Sequence, residues 1–192
     1  MKNNEYFHLG GVLLAITAGV ALLLGFFNNL TADVIAATKE ENERLSMQSV
    51  MPNASSFETI EPENMQQDSI ITGISEALDE NGQRVGYCFS LSPKGYGGEV
   101  SVMVGVNSDL TVNGVSIISH SETPGLGANA ADEEWLSQFS GKTAGITVVK
   151  SSAQGNQIQA VTSATITSTA VTTAVNSALD MAETLNEEAQ QQ

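Results

Sequence analysis

Basic residues are scarce in this chain: 7 Lys plus Arg stand against 22 Asp plus Glu, a formal net charge of −15. Nucleic-acid binding needs clustered Lys and Arg to displace counterions from phosphates, and no two basic residues are adjacent here, so that function class is excluded. A single cysteine, Cys88, rules out an intrachain disulfide, a paired-cysteine zinc site and an iron–sulfur cluster, while leaving the redox compartment open. Two histidines, His8 and His120, are too few for a His-rich metal site. There is no glycine loop ending in Lys-Ser or Lys-Thr to cradle a phosphate, and no Gly-x-Ser-x-Gly to present a nucleophile. Neither a catalytic side chain nor a metal-ligand set is legible, and the search narrows to loops.

What the chain does have is a long interval without charge. Between Glu5 and Asp33 lie 27 residues with no ionisable acid, Lys or Arg. Leu9 to Phe27 reads LGGVLLAITAGVALLLGFF. At 1.5 Å per residue this run spans roughly 28 Å, close to the hydrocarbon thickness of a bilayer. It is longer than the ~7–15 apolar residues of a secretory signal core, which disfavours a cleaved signal with Lys2 as its charged region and Val34-Ile35-Ala36 as its cleavage site. A soluble helix apolar on every face would need a core on every side. The expectation is a transmembrane helix over 9–28. Lys2 precedes the span while Lys39 and Arg44 follow it, so the positive-inside count is nearly balanced and does not orient it. The roughly 165 residues beyond suffice for one domain with a sizeable core.

Residues 29–51 carry good helix formers, so the membrane helix is expected to continue as a stalk and to end before Pro52. Residues 53–68 are polar and acidic, with Pro62, and read as a linker. Ile70, Ile71 and Ile74 precede an Asn81-Gly82 hairpin signal, after which Val85, Tyr87 and Phe89 alternate. Val100, Val102, Val104 and Val106 make the clearest period-2 face, and Asn107 to Asp109 turn the chain into a strand over 110–118. A short helix is expected after Asp132, with Trp135 and Phe139 packed in the core. Another strand is expected over 146–149, and an amphipathic helix over 168–187. Cys88, on an alternating strand, reads as a buried thiol. The fold class is α+β, an antiparallel sheet with a packed C-terminal helix.

Two segments could carry chemistry. The hydroxyl run from Thr162 to Thr169 opens the C-terminal helix. Such residues usually cap a helix, but unpaired N–H groups and the positive end of the dipole also make a helix start suited to a phosphate. The other is Glu122-Thr123-Pro124-Gly125-Leu126-Gly127, just past a strand. Alone it reads as a Pro-Gly turn.

Together with Gly95-Tyr96-Gly97-Gly98, these segments resemble the G subunit of the Rnf electron-transport complex, and more broadly the covalent FMN-binding domain shared with the C subunit of the sodium-pumping NADH:quinone reductase. The Glu-Thr-Pro-Gly-Leu-Gly element is matched without change at 122–127. The hydroxyl element is matched over Thr162–Thr167, except that the family's Asp stands as Gln159 here. The resemblance implies FMN joined to Thr165 through a phosphoester installed by a separate flavin transferase. Thr162, Ser163 and Ala164 would shape the phosphate site, and Glu122, Thr123, Gly125 and Leu126 would approach the flavin ring. It also implies residues 1–8 in the cytoplasm, a single span through membrane lipid, a stalk and linker over 29–68, and an extracytoplasmic FMN-binding domain over 69–192. The chain would relay electrons among the other subunits of a ferredoxin/NAD-type complex that moves sodium ions or protons. A quinone-reductase C-type or stand-alone flavinylated carrier shares the same motifs, and a domain that has lost flavin is the reading that Gln159 keeps open.

Overall fold

The structure is a computed structural model and describes the backbone of residues 2–60 and 69–190. It divides into one unit up to Asn42 and a second from Glu43 onward. The first unit is built by helix α1 (Lys2–Val50), whose side chains are exposed at every position from Tyr6 to Asn42. The helix is long and apolar enough to cross a membrane. Its one interrupting hydroxyl, on Thr17, donates to the carbonyls of Leu13 and Leu14 at 2.9 and 3.0 Å. The hydroxyl hydrogen of that side chain is therefore satisfied within the helix itself.

The second unit is a five-stranded antiparallel meander, β1 (Ser56–Ile60), β2 (Ile71–Leu78), β3 (Arg84–Leu91), β4 (Val100–Asn107) and β5 (Val112–His120), in sequential order. A short helix α2 (Glu133–Leu136), the parallel pair β6 (Thr147–Val149) and β7 (Gln157–Gln159), and the long helix α3 (Thr165–Gln190) complete it. The period-2 face of β4 is the centre of the main core: Val100, Val102, Val104 and Val106 are buried against Val171, Ala174, Val175 and Ala178 of α3. Trp135 and Phe139 belong to the same core, their rings edge to face at 5.4 Å. Burial of such apolar area at about 25 cal/mol per Å² is the main force holding α3 to the sheet.

The opposite face of the sheet is also covered. Val50 and Met51, where α1 ends, pack with Ala77, Cys88 and Met103. They are admitted by glycines on three neighbouring strands. A Cβ on Gly105 would come within 2.6 Å of the Val50 carbonyl, one on Gly86 within 2.8 Å of Met51 Cε, and one on Gly114 within 3.1 Å of Val50 Cα. The orphan carbonyl of Val50 accepts a hydrogen bond from Asn113 Nδ2, which satisfies the end of the helix.

Three boundaries differ from the sequence reading. The first part of the expected linker is strand β1, with Ser56 opposite Leu78 and Ile60 opposite Ile74. With only Phe57 and Ile60 apolar, it has no alternation of its own and owes its conformation to the free edge of β2. The rest of that linker, 61–68, lies outside the described residues. Helix α3 begins at Thr165 rather than Ser168. Its hydroxyls, which compete with helix when unpaired, instead return to carbonyls one turn back: Ser168 to Ala164, Thr169 to Thr165, Thr172 to Ser168 and Thr173 to Thr169, at 2.8 to 3.0 Å. Strand β7 was not legible, because three residues paired only with another short strand leave no periodic signal.

Gly105→Val should destabilise the second unit by about 1–3 kcal/mol through overpacking against Val50 and Met51. Gly73→Ala, whose new Cβ would lie 3.7 Å from Ser90 Cβ, should stay within about 0.5 kcal/mol of wild type. Urea unfolding of the full chain in detergent, followed by Trp135 fluorescence, separates the two. Burial pushes the Cys88 thiol from 9.0 up to about 12. Below pH 9 this group is neutral in both states; above it the unfolded chain loses a proton the folded chain keeps, so stability should fall as pH rises toward 12. At pH 8 the native thiol should resist a chromogenic disulfide reagent and react fully in denaturant.

Candidate functional site

The site is organised around Glu122, which follows β5 and is 6 % exposed. Its Oε1 accepts the backbone N–H groups of Tyr96 and Gly97 at 2.8 and 3.1 Å, and its Oε2 accepts the Thr167 hydroxyl at 2.9 Å. Its own N–H donates to His120 Nδ1 at 3.2 Å. Three segments distant in sequence are thereby joined: the loop after β3, the loop after β5 and the first turn of α3. A buried carboxylate is tolerated only with such a set of donors. Space for it comes from two glycines, since a Cβ on Gly95 would overlap Oε1 and one on Gly127 would overlap Oε2.

The Gly95–Gly98 loop is a tight hairpin. Lys94 and Glu99 face each other across it, Gly95 N–H donates to the Gly98 carbonyl at 2.7 Å, and Val100 N–H to the Pro93 carbonyl at 2.9 Å. The second loop closes through Leu126 N–H to the Thr123 carbonyl at 3.1 Å, with Gly125 at φ 75°, a left-handed value that favours glycine. The third segment turns at Ser163, which takes φ 63° at a cost of roughly 1–2 kcal/mol for a residue with a Cβ. The buried Ser168 hydroxyl secures this turn, accepting from Val161 N–H at 2.9 Å and donating to the Ala164 carbonyl at 3.0 Å.

The first backbone bond inside α3 runs from Ser168 N–H to the Ala164 carbonyl. The N–H groups of Thr165, Ile166 and Thr167 therefore have no acceptor among the described residues. They stand at the edge of a cavity of about 410 Å³, within the range of small-molecule sites. Tyr96, Leu126 and Ile166 line it while 73 %, 43 % and 56 % exposed. Beyond α1 they are the only large apolar side chains left so open among the described residues.

Of the residues singled out from sequence, Glu122, Thr123, Leu126, Ser163, Ala164 and Thr165 line this cavity. Thr165 is exposed and is the first residue of α3. Gly125 does not line it but makes the turn that brings Leu126 there. Thr162 lies instead on a separate cavity with Gln159, Asp132 and Glu134. The backbone of Gln159 is tied down, its carbonyl accepting Trp135 Nε1–H at 2.8 Å and its N–H donating to Gln138 Oε1 at 2.7 Å, while the residue stays exposed. The site residues drawn from sequence missed Tyr96, Gly127, Ile166 and Thr167. Each sits inside or beside a motif already noticed, so adjacency was the available signal; which of them turn inward was not in the pattern.

Comparison with known proteins places these features in one family. A model of the FMN-binding domain matches residues 95–180. Over 175 residues the chain is 37% identical to the G subunit of the Na(+)-translocating ferredoxin:NAD(+) oxidoreductase complex of Acetobacterium woodii, covering 84% of each. It is 30% identical over 158 residues to the G subunit of an ion-translocating oxidoreductase complex of Methanosarcina acetivorans, covering 81% of this chain and 83% of that one. Its fold resembles that of the C subunit of the Na(+)-translocating NADH-quinone reductase of Parabacteroides distasonis, at 19% identity and a TM-score of 0.53 over 74% of this chain and 91% of the other. With all three converging loops inside the matched domain and likeness to the Acetobacterium protein over 84% of its length, the chain belongs to the G-subunit family of ion-translocating oxidoreductase complexes.

Proposed function

We propose that Thr165 carries FMN through a phosphoester to its Oγ1, installed by a separate flavin transferase, and that the chain is an electron-relay subunit of a membrane complex. That complex exchanges electrons between ferredoxin and NAD and couples the exchange to movement of sodium ions or protons, the two kinds of coupling named for relatives of this chain. The observation that carries the reading is the placement of an exposed Thr165 hydroxyl beside three unpaired N–H groups, at the edge of a cavity with open apolar walls. The residues present fit the group. The N–H groups and the helix dipole suit a phosphate, and Tyr96, Leu126 and Ile166 offer apolar surface to a flat ring. FMN bound there would supply the redox chemistry.

The chain's own residues hold and position. Thr165 is an attachment point and takes no part in turnover. Ser163 and Ala164 shape the approach to it, Thr123 and Leu126 form the facing wall, and Gly125 sets that wall's turn. Thr162 acts at one remove, through the turn that precedes α3. Glu122 has both oxygens engaged within the protein, so its part is to hold the walls together. Helix α1 anchors the chain in lipid with its N-terminus in the cytoplasm, and the unit beyond it faces the extracytoplasmic side. A covalent tether there retains a cofactor that is scarce outside the cell.

Co-expressed with a flavin transferase, the full chain should show flavin fluorescence that survives denaturing electrophoresis, and Thr165→Val should abolish it. A wild-type band without fluorescence would overturn the reading. Glu122→Ala leaves three inward donors unpaired and should cost roughly 2–4 kcal/mol of stability, with reduced flavin loading. Glu122→Gln keeps an acceptor and a polar partner for Thr167 and should retain most of both. Denaturant unfolding and in-gel fluorescence measure the two effects.

A further inference from the structure

We propose that the ammonium group of Lys94 is the counter-ion of the phosphoester at Thr165, an assignment that rests on Thr165 being the attachment point. Thr165 and Ile166 border two cavities. One is the apolar-walled cavity holding Tyr96 and Leu126; the other, of about 380 Å³, is lined by Ile70, Pro93, Lys94 and Thr169. Lys94 and Tyr96 are two residues apart on the same hairpin. Its backbone is held by the Lys94–Glu99 pairing and by the Tyr96 and Gly97 bonds to Glu122. The hairpin thus contributes to both cavities that meet at the start of α3, an aromatic ring to one and a cation to the other.

Lys94 is the only charged side chain lining that second cavity. It makes no ion pair or side-chain hydrogen bond among the described residues. Arg84, by contrast, is engaged by Glu76 at 3.2 Å and lies over the Tyr87 ring at 4.9 Å, and Lys142 donates to the Gly155 carbonyl at 2.7 Å. Glu99, across the hairpin from Lys94, accepts the Ser92 hydroxyl at 3.1 Å instead.

The charge balance calls for such a group. A phosphate esterified to both flavin and threonine keeps one negative charge, added to a chain already at −15. The start of α3 offsets about half an elementary charge. A cation in a cavity that Thr165 also lines supplies the remainder and gives the phosphate a charge-assisted hydrogen bond. It also sorts the two cavities: phosphate toward Lys94, ring toward Tyr96 and Leu126.

The test is a thermal cycle on the full chain in detergent, comparing Lys94→Gln with wild type in two states, flavinylated and carrying Thr165→Val. Lys94→Gln should lower the Tm of the flavinylated chain by about 1–3 °C and leave the Thr165→Val chain unchanged. The difference should shrink in 1 M salt and be restored by Lys94→Arg. Failure of Lys94→Gln to take up flavin, rescued by Lys94→Arg, also supports the assignment. Equal shifts in both states, or no shift in flavinylated chain of full loading, would overturn it while leaving attachment at Thr165 intact. Absence of flavin from wild type would overturn the attachment itself, and this assignment with it.

Discussion

Everything at the site depends on one carboxylate removed from water. Glu122 is stable where it is because donors from two other segments meet its two oxygens and because two glycines vacate the volume it occupies. The same bonds that keep Glu122 buried draw the hairpin after β3, the loop after β5 and the first turn of α3 to a common point. Thr167 is fixed by this contact, and Thr165, two residues earlier in the same turn, is thereby presented on the outer side of the helix start. A charged residue in a cofactor cavity suggests a direct ligand. Here its oxygens are already taken, and its contribution is rigidity.

The second constraint is that the sheet is used on both sides. β4 turns four valines to α3, and on its other face Met103 and Gly105 lie under Val50 and Met51. Glycines on β3, β4 and β5 make this possible, since close packing leaves no slack for added methyls. The site therefore sits at the end of a sheet held from both faces. Beside it, the hydroxyl-rich start of α3 is stiffened by its own side chains returning to the backbone.

Much of this was legible beforehand. The apolar run of α1, the Asn81-Gly82 hairpin, the valine alternation of β4 and the amphipathic spacing of α3 are local patterns, and each element formed where its pattern lies. Cys88, Trp135 and Phe139, whose sequence context predicts burial, are buried. Strand β1 was not legible, because an edge strand with two apolar residues is made by its neighbour. Nor was the start of α3, because threonine and serine favour caps until their hydroxyls find carbonyls one turn back.

At the site, motif identity marked Glu122, Thr123, Leu126 and the Ser163–Thr165 run, and six of the eight residues singled out line the cavity. It could not tell that Thr162 turns to a different cavity, that Glu122 is a structural bond rather than a free group, or that Lys94 and Tyr96 line two different cavities that share Thr165. The sequence by itself determined the long apolar helix, the class of the fold, the family and the loops that matter, because apolar runs, periodicity and short motifs are properties of neighbouring residues. The tertiary structure alone decided which side chains meet, because hydrogen bonds between residues 26 and 45 positions apart, such as those of Glu122 to Tyr96 and Thr167, are set by how the sheet and α3 pack and leave no trace in local sequence.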